Sequence, residues 1–270
     1  MLARMPADPT APTALLADRL ARDPASPLLT FYNDATGERT EVSVTTFANW
    51  VAKTANLLGD EIGLGEHATV GLVLPLHWQS AVLLLAAWSS GAEVTVFADA
   101  TAAVSGASAA HGVELLVVDE GALDDVAAVD AGMVLALSLR PMNQPLTRPR
   151  PGVVDYAAEV LAQGDRFSPY APVDPDSVAL RTADAVCTGR ELVRAAEALP
   201  LSADDRVLSV LPLSTVDGLL AGLLGPLAAG GGAVLCAHPD QAGLAHRADT
   251  EQVTVAAGVA LPGVPELPPR

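Results

Sequence analysis

The 270-residue sequence predicts an α/β fold: two α/β subdomains, each a largely parallel sheet covered by helices. Two observations carry that prediction. Continuous apolar runs alternate with stretches of helical periodicity, the pattern of parallel strands buried on both faces. Half of the residues are hydrophobic but only 4% are aromatic, so a sizeable core must rest on Ala, Val and Leu. Such small side chains suit close packing of helix on sheet.

The elements follow in order. Residues 11–22 carry Leu15, Leu16 and Leu20 at helical spacing. Residues 28–32 and 39–42 read as strands joined by the turn Asp34-Ala35-Thr36-Gly37, where Asp and Gly tolerate tight backbone. Ser43 is placed to N-cap a helix with Phe47, Trp50, Val51, Ala55 and Leu58 on one face, stopped by Gly63 and Gly65. Strands at 69–74, 93–97, 115–118 and 133–137 then alternate with helices at 79–89, 101–111 and 124–130.

Residues 140–151 hold four prolines and three arginines and break the rhythm as a crossing loop. A short helix is expected at 153–161 and a second proline-rich connector at 169–175. A strand at 177–181 precedes a helix capped by Thr188, with Glu191 completing a capping-box pattern. A strand at 206–211, a helix at 216–227 and strands at 233–236 and 252–256 complete the series. The expected organisation is a first subdomain (1–139), a Pro-rich connector (140–175), a second subdomain (176–260) and a flexible tail (261–270).

Thirty-two Asp and Glu against 15 Lys and Arg give a net charge of −17. Phosphate backbones and anionic lipid heads repel such a chain, so nucleic acid is excluded as a partner. Solubility explains the acidity most simply; an acidic face for a basic partner is the other reading. Cys187 and Cys236 lack metal spacing and are expected as buried reduced thiols. The opening MLARMPADP shows no apolar run of a secretory signal, and a cytoplasmic location is expected. Residues 216–237 are nearly uncharged apart from Asp217, but Pro226 and Gly230-Gly231-Gly232 punctuate them. A helix, a turn and a short strand are therefore expected there, and no membrane span.

A resemblance emerges from the order of several segments. The hairpin at 30–43 is followed by a helix containing Ala55-Asn56-Leu57-Leu58, then by Leu64-Gly65-Glu66-His67-Ala68-Thr69-Val70-Gly71-Leu72. A proline, Pro75, leads into a long Leu/Ala helix closed by Ser90-Gly91-Ala92. Later come Leu211-Pro212-Leu213, Gly218 with its Leu-rich helix, glycines before Val234-Leu235, Gln252-Val253-Thr254, and Gly263-Val264-Pro265. Across residues 10–265 this series resembles the large N-terminal region of adenylate-forming enzymes of the acyl-CoA synthetase kind, in a shortened and degenerate form.

The resemblance implies a phosphate-binding loop, rich in Ser, Thr and Gly and ending in lysine, just after the strand at 177–181. In such loops backbone N–H groups cradle the anion and glycines permit close approach. Here the chain reads Thr182-Ala183-Asp184-Ala185-Val186-Cys187-Thr188-Gly189, without a glycine run or a lysine, and Asp184 would repel phosphate. The one lysine, Lys53, lies on an early helix. The resemblance also puts an aromatic and a histidine where Ser214 and Thr215 stand. It places the family's Thr-Glu adenine and metal segment, its ribose-binding aspartate and its C-terminal domain with the catalytic lysine beyond this sequence.

Read this way, no catalytic residue, no cofactor and no acyl-adenylate are expected. The resemblance implies a non-catalytic homologue acting as a binding or scaffold protein, with a second copy or a protein partner over its exposed sheet surface. A residual binder of an acyl, nucleotide or CoA-type ligand and one half of a split ligase stand as alternatives. Candidate pocket residues are His77 and Trp78, after the first parallel strand, together with Ser214, Thr215 and Asp217. Packing is the plain reading of the first pair, and interaction with a helix dipole that of Asp217. His111, His238 and His246 are scattered without ligand spacing, so no metal site is expected. No Gly-x-Ser-x-Gly elbow occurs.

Overall fold

The computed structural model describes residues 10–65, 67–109 and 112–269, without the side chains of 107–109. His111 and the opening MLARMPADP lie outside the described residues. The elements are α1 (Pro12–Arg22), β1 (Pro27–Asn33), β2 (Glu38–Ser43), α2 (Val44–Asn56), β3 (Thr69–Val73), α3 (Trp78–Ser89), β4 (Glu93–Val96), α4 (Ala100–Ala109), β5 (Val113–Asp119), β6 (Ala131–Leu137) and β7 (Val153–Asp155). Then follow α5 (Tyr156–Val160), β8 (Val178–Arg181), β9 (Val186–Thr188), α6 (Gly189–Glu197), β10 (Arg206–Ser209), α7 (Val216–Leu219), α8 (Gly225–Ala229), β11 (Gly232–Ala237), α9 (Leu244–Thr250) and β12 (Val255–Ala257). A π-helical turn, Leu57–Glu61, extends α2, and another, Leu220–Leu224, joins α7 to α8.

Local chemistry starts these helices where the residue pattern places them. The Ser43 hydroxyl accepts the Thr46 N–H at 3.2 Å. At α6 the Thr188 hydroxyl accepts the Glu191 N–H, and the Glu191 carboxylate accepts the Thr188 N–H in return. Elsewhere the expectations need correction. Residues 124–130 form turns behind a short 3₁₀ segment, Glu120–Ala122, in place of the expected helix. Residues 153–161 split into β7 and α5, with Asp155 capping α5. The last strand starts late because Gln252 turns the chain at φ +53°. The tail is not loose: Leu267 is buried, and its N–H donates to the Ala256 carbonyl at 2.7 Å.

The strands form two sheets. One has seven strands in the order β7-β6-β5-β3-β4-β8-β9, parallel except for the β8–β9 pair. The other has five in the order β12-β10-β11-β1-β2, parallel except for the β1–β2 hairpin. Each sheet draws strands from both sides of the Pro-rich stretch. The hairpin joins β11 with Leu29 opposite Ala233, and β8 joins β4 with Leu180 opposite Val94.

The main core lies between the sheets. It gathers Leu29 and Phe31 of β1, Leu72 of β3, Leu180 of β8 and Leu235 of β11 around helices α1, α2, α3 and α6. Helix α3 is buried on every side, as its run of Leu and Ala requires. Its hydroxyl and indole groups reach the loop after β3 and the strand β8: Ser80 donates to the Pro75 carbonyl and the Trp88 Nε1–H to the Ala179 carbonyl. A second cluster under α4 holds Phe97, Leu116 and Val118, and a third under α9 holds Leu208, Val234 and Leu244. No helix among the described residues is long and apolar enough to cross a membrane.

Candidate functional site

Parallel strands leave their loops at their carboxyl ends, and three such places bear on function, two on the seven-stranded sheet and one after β10 of the five-stranded sheet. The first is the connection from β8 to β9. Thr182 donates its N–H to the Ala185 carbonyl at 2.9 Å, and its hydroxyl accepts the N–H groups of Asp184 at 3.4 Å and Ala185 at 3.1 Å. The turn therefore uses three of its backbone donors, those of Thr182, Asp184 and Ala185, on itself. Asp184 is exposed at its tip. Arg181, the last residue of β8, is held by the carboxylate of Glu93 on the neighbouring strand. That carboxylate raises the guanidinium pKa, so this cation beside the turn is already paired.

The second place holds His77 and Trp78. His77 is 4% exposed and is the N-cap of α3, its Nδ1 accepting the Gln79 N–H at 3.1 Å. Its ring meets Phe31 edge-on at 4.5 Å, and its Nε2 lies 4.0 Å from the Glu38 carboxylate without a hydrogen-bond partner. Burial pushes the imidazole pKa down to about 3 and that of Glu38 upward. Trp78 is 7% exposed and packs edge-on against Trp50. Both side chains are buried, His77 against Phe31 of the hairpin and Trp78 against Trp50 of α2.

The third place is the turn into α7. The Thr215 hydroxyl accepts the Gly218 N–H at 3.1 Å and donates to the Pro212 carbonyl. Gly218 must be glycine, since a Cβ there would sit 2.0 Å from the Pro212 oxygen. Thr215 is thus a cap, and Ser214 beside it is half-buried. Asp217 stands in the first turn of α7 and lines a cavity of 250 Å³ with Leu211, Ala257 and Leu267. Among the described residues no group of His, Cys, Asp and Glu is placed to hold a metal ion. Cys236 is buried as expected, whereas Cys187 on the edge strand β9 is only half-buried.

Reading residues alone missed one crevice of the seven-stranded sheet. In the seven-stranded sheet β3 leads to β4 on one side, and β4 leads across to β5 on the other. The strand order reverses between β3 and β5, and open α/β sheets bind ligands outside such a reversal. A crevice of 740 Å³ lies there, bounded by Leu74 and Pro75 after β3, Asp99 and Thr101 after β4, and Asp119 and Asp125 after β5. Asp99 accepts the Ala102 N–H at 2.8 Å, and Asp119 accepts the Gly121 N–H at 2.8 Å. Burial raises the Asp119 pKa, and the nearby Asp125 charge adds to it. The signal was present in the sequence: an aspartate follows β4 and another closes β5.

Comparison with known proteins matches the fold. A curated Mycobacterium tuberculosis protein, described by a family number and no activity, is 41% identical over 241 residues, spanning 89% of this chain and 95% of the relative. An acyl-CoA synthetase of Brucella canis has the same fold over 95% of this chain, with a TM-score of 0.75 at 20% identity. A benzoate CoA ligase of Burkholderia xenovorans does so over 94%, at 0.74 and 18%. The chain covers 49% and 53% of those two structures, about half of each. The model of the AMP-binding enzyme family matches residues 16–261, and the chain therefore belongs to that family.

Proposed function

We propose that the chain is a non-catalytic member of its family, working as a binding or scaffold protein. The observation that carries this reading is the β8–β9 turn. A triphosphate needs free N–H groups and close backbone approach. The Thr182–Ala185 turn uses the N–H groups of Thr182, Asp184 and Ala185 internally, adds the Asp184 charge at its tip, and has its neighbouring Arg181 paired with Glu93. Loss of a single preorganised charge stabiliser typically costs roughly 100- to 1,000-fold in rate, and a whole cradle costs more.

The test is exchange of labelled pyrophosphate into ATP, with magnesium and a panel of carboxylic acids. No exchange above background is expected, and millimolar ATP should leave the melting temperature unchanged, because a ligand of the native state must raise it. Exchange that depends on an added acid would overturn the reading. A cytoplasmic location and a second copy or protein partner belong to the same reading. The edge strand β9 supports a partner, since it leaves Val186 55% exposed beside unpaired backbone. A monomer at high concentration, with no co-purifying protein, would count against that part.

A further inference from the structure

We propose that the crevice at the strand reversal between β3 and β5 binds a small organic cation, an amine-bearing molecule a few carbons long. The inference stands on the cavity and its position, and is independent of whether the chain forms adenylates. Its 740 Å³ falls within the range of roughly 300–1,000 Å³ typical of small-molecule sites. Its floor is formed by the carboxyl ends of three parallel strands, and its back wall by Leu74 and Pro75. That wall is fixed, because the Ser80 hydroxyl on the buried helix α3 holds the Pro75 carbonyl at 2.8 Å.

The polar groups on the crevice set the class of ligand. Asp99, Asp119 and Asp125 supply three carboxylates, Thr101 and Ser105 supply hydroxyls, and no Lys, Arg or His among the described residues lines it. An anion such as a nucleotide phosphate or a fatty carboxylate is repelled by these walls. A divalent ion has no ready cage, since the described residues hold no suitable donor cluster. A protonated amine meets acceptors on both sides of the reversal, from the β4 and β5 loops, while its carbons rest on Leu74 and Pro75. It also restores part of the solvation that Asp119 loses by burial.

The experiment compares diaminobutane, butanediol and succinate, three four-carbon chains with cationic, neutral and anionic ends. Binding is read by isothermal titration calorimetry on the whole chain at low salt. Diaminobutane should bind, and the diol and the diacid should not. Because a protein of net charge −17 attracts any cation, the decisive comparison is between variants. Asp119→Asn with Asp125→Asn should weaken diamine binding at least tenfold, whereas Asp165→Asn with Asp184→Asn, which removes the same charge elsewhere, should leave it within twofold. In Asp119→Asn the side-chain amide oxygen can still accept the Gly121 N–H, so the loop is retained. Should the double variant fail to fold, Ser105→Phe, on the exposed face of α4, fills the crevice and should abolish binding. The proposal is overturned by absent diamine binding at millimolar concentration, by equal binding of the diol or succinate, or by equal losses in the two charge variants. Pyrophosphate exchange plays no part in any of these outcomes.

Discussion

One edge of the seven-stranded sheet ends in two contrasting ways. Beyond β8 the chain turns at once, and the Thr182 N–H bonds to the Ala185 carbonyl while the Thr182 hydroxyl accepts the N–H groups of Asp184 and Ala185. Beyond β3, β4 and β5 the loops diverge because the strand order reverses, and a crevice of 740 Å³ stays open between them. Both regions stand on one helix, since α3 holds Pro75 through Ser80 and Ala179 through Trp88. Strand topology decides where room exists, and the hydrogen-bond state of the loop decides whether its backbone can receive an anion.

The contrast can be broken most severely from beneath. Leu84 is 1% exposed in the middle of α3. Leu84→Ala should cost about 2–5 kcal/mol in urea unfolding, with fluorescence and circular dichroism moving together. Separate transitions would mean that the two ends of the edge do not share a scaffold.

A smaller effect comes from His77, just behind the crevice wall. Its pKa is 6.5 when unfolded and about 3 when folded, so the unfolded state takes up a proton first as pH falls. The stability owed to a neutral His77 is complete above pH 6.5 and is lost as pH falls from there toward 3, by at most about 1.4 kcal/mol per pH unit. Glu38 acts in the opposite sense: its folded pKa lies above 4.5, so its contribution is present below that value and lost as pH rises through the folded pKa. His77→Gln should flatten the acid limb of the stability profile, measured by urea titration at a series of pH values. An unchanged slope would show that the imidazole is already charged in the folded chain.

The smallest expected effect sharpens the closed side. Thr182→Val removes the hydroxyl that accepts two N–H groups and should cost about 1 kcal/mol. Hydrogen exchange at Asp184 and Ala185 should speed up, while the amides around Asp119 keep their rates. Acceleration in both loops would make the turn and the crevice one unit.

Much of this fold was legible because its signals are local. Ser43 and the Thr188–Glu191 pair announce helix starts through side chains that satisfy nearby backbone, and the Asp34–Gly37 turn announces a hairpin. The apolar run in α3 states that it is buried without saying against what. What stayed hidden is what depends on distant pairing. Nothing near Leu29 names Ala233 as its neighbour, and nothing near Val178 says that β8 completes the first sheet. The candidate site followed the same rule. His77 and Trp78 do follow a strand end, but the crevice is assembled from three loops, and their own side chains turn inward. The sheet order is what sets Asp99 and Asp119 across one gap.

The pairing of β1 with β11 also has a consequence for synthesis. The two strands are roughly 200 residues apart, so at about 5–20 residues per second a nascent chain carries an open hairpin edge for on the order of 10–40 s. Through that interval Phe31 and Leu29 lack the strand that will cover their backbone, and a neighbouring chain on the same messenger offers an alternative mate. Slowing translation after the hairpin should therefore lower soluble yield even where the finished protein is no less stable.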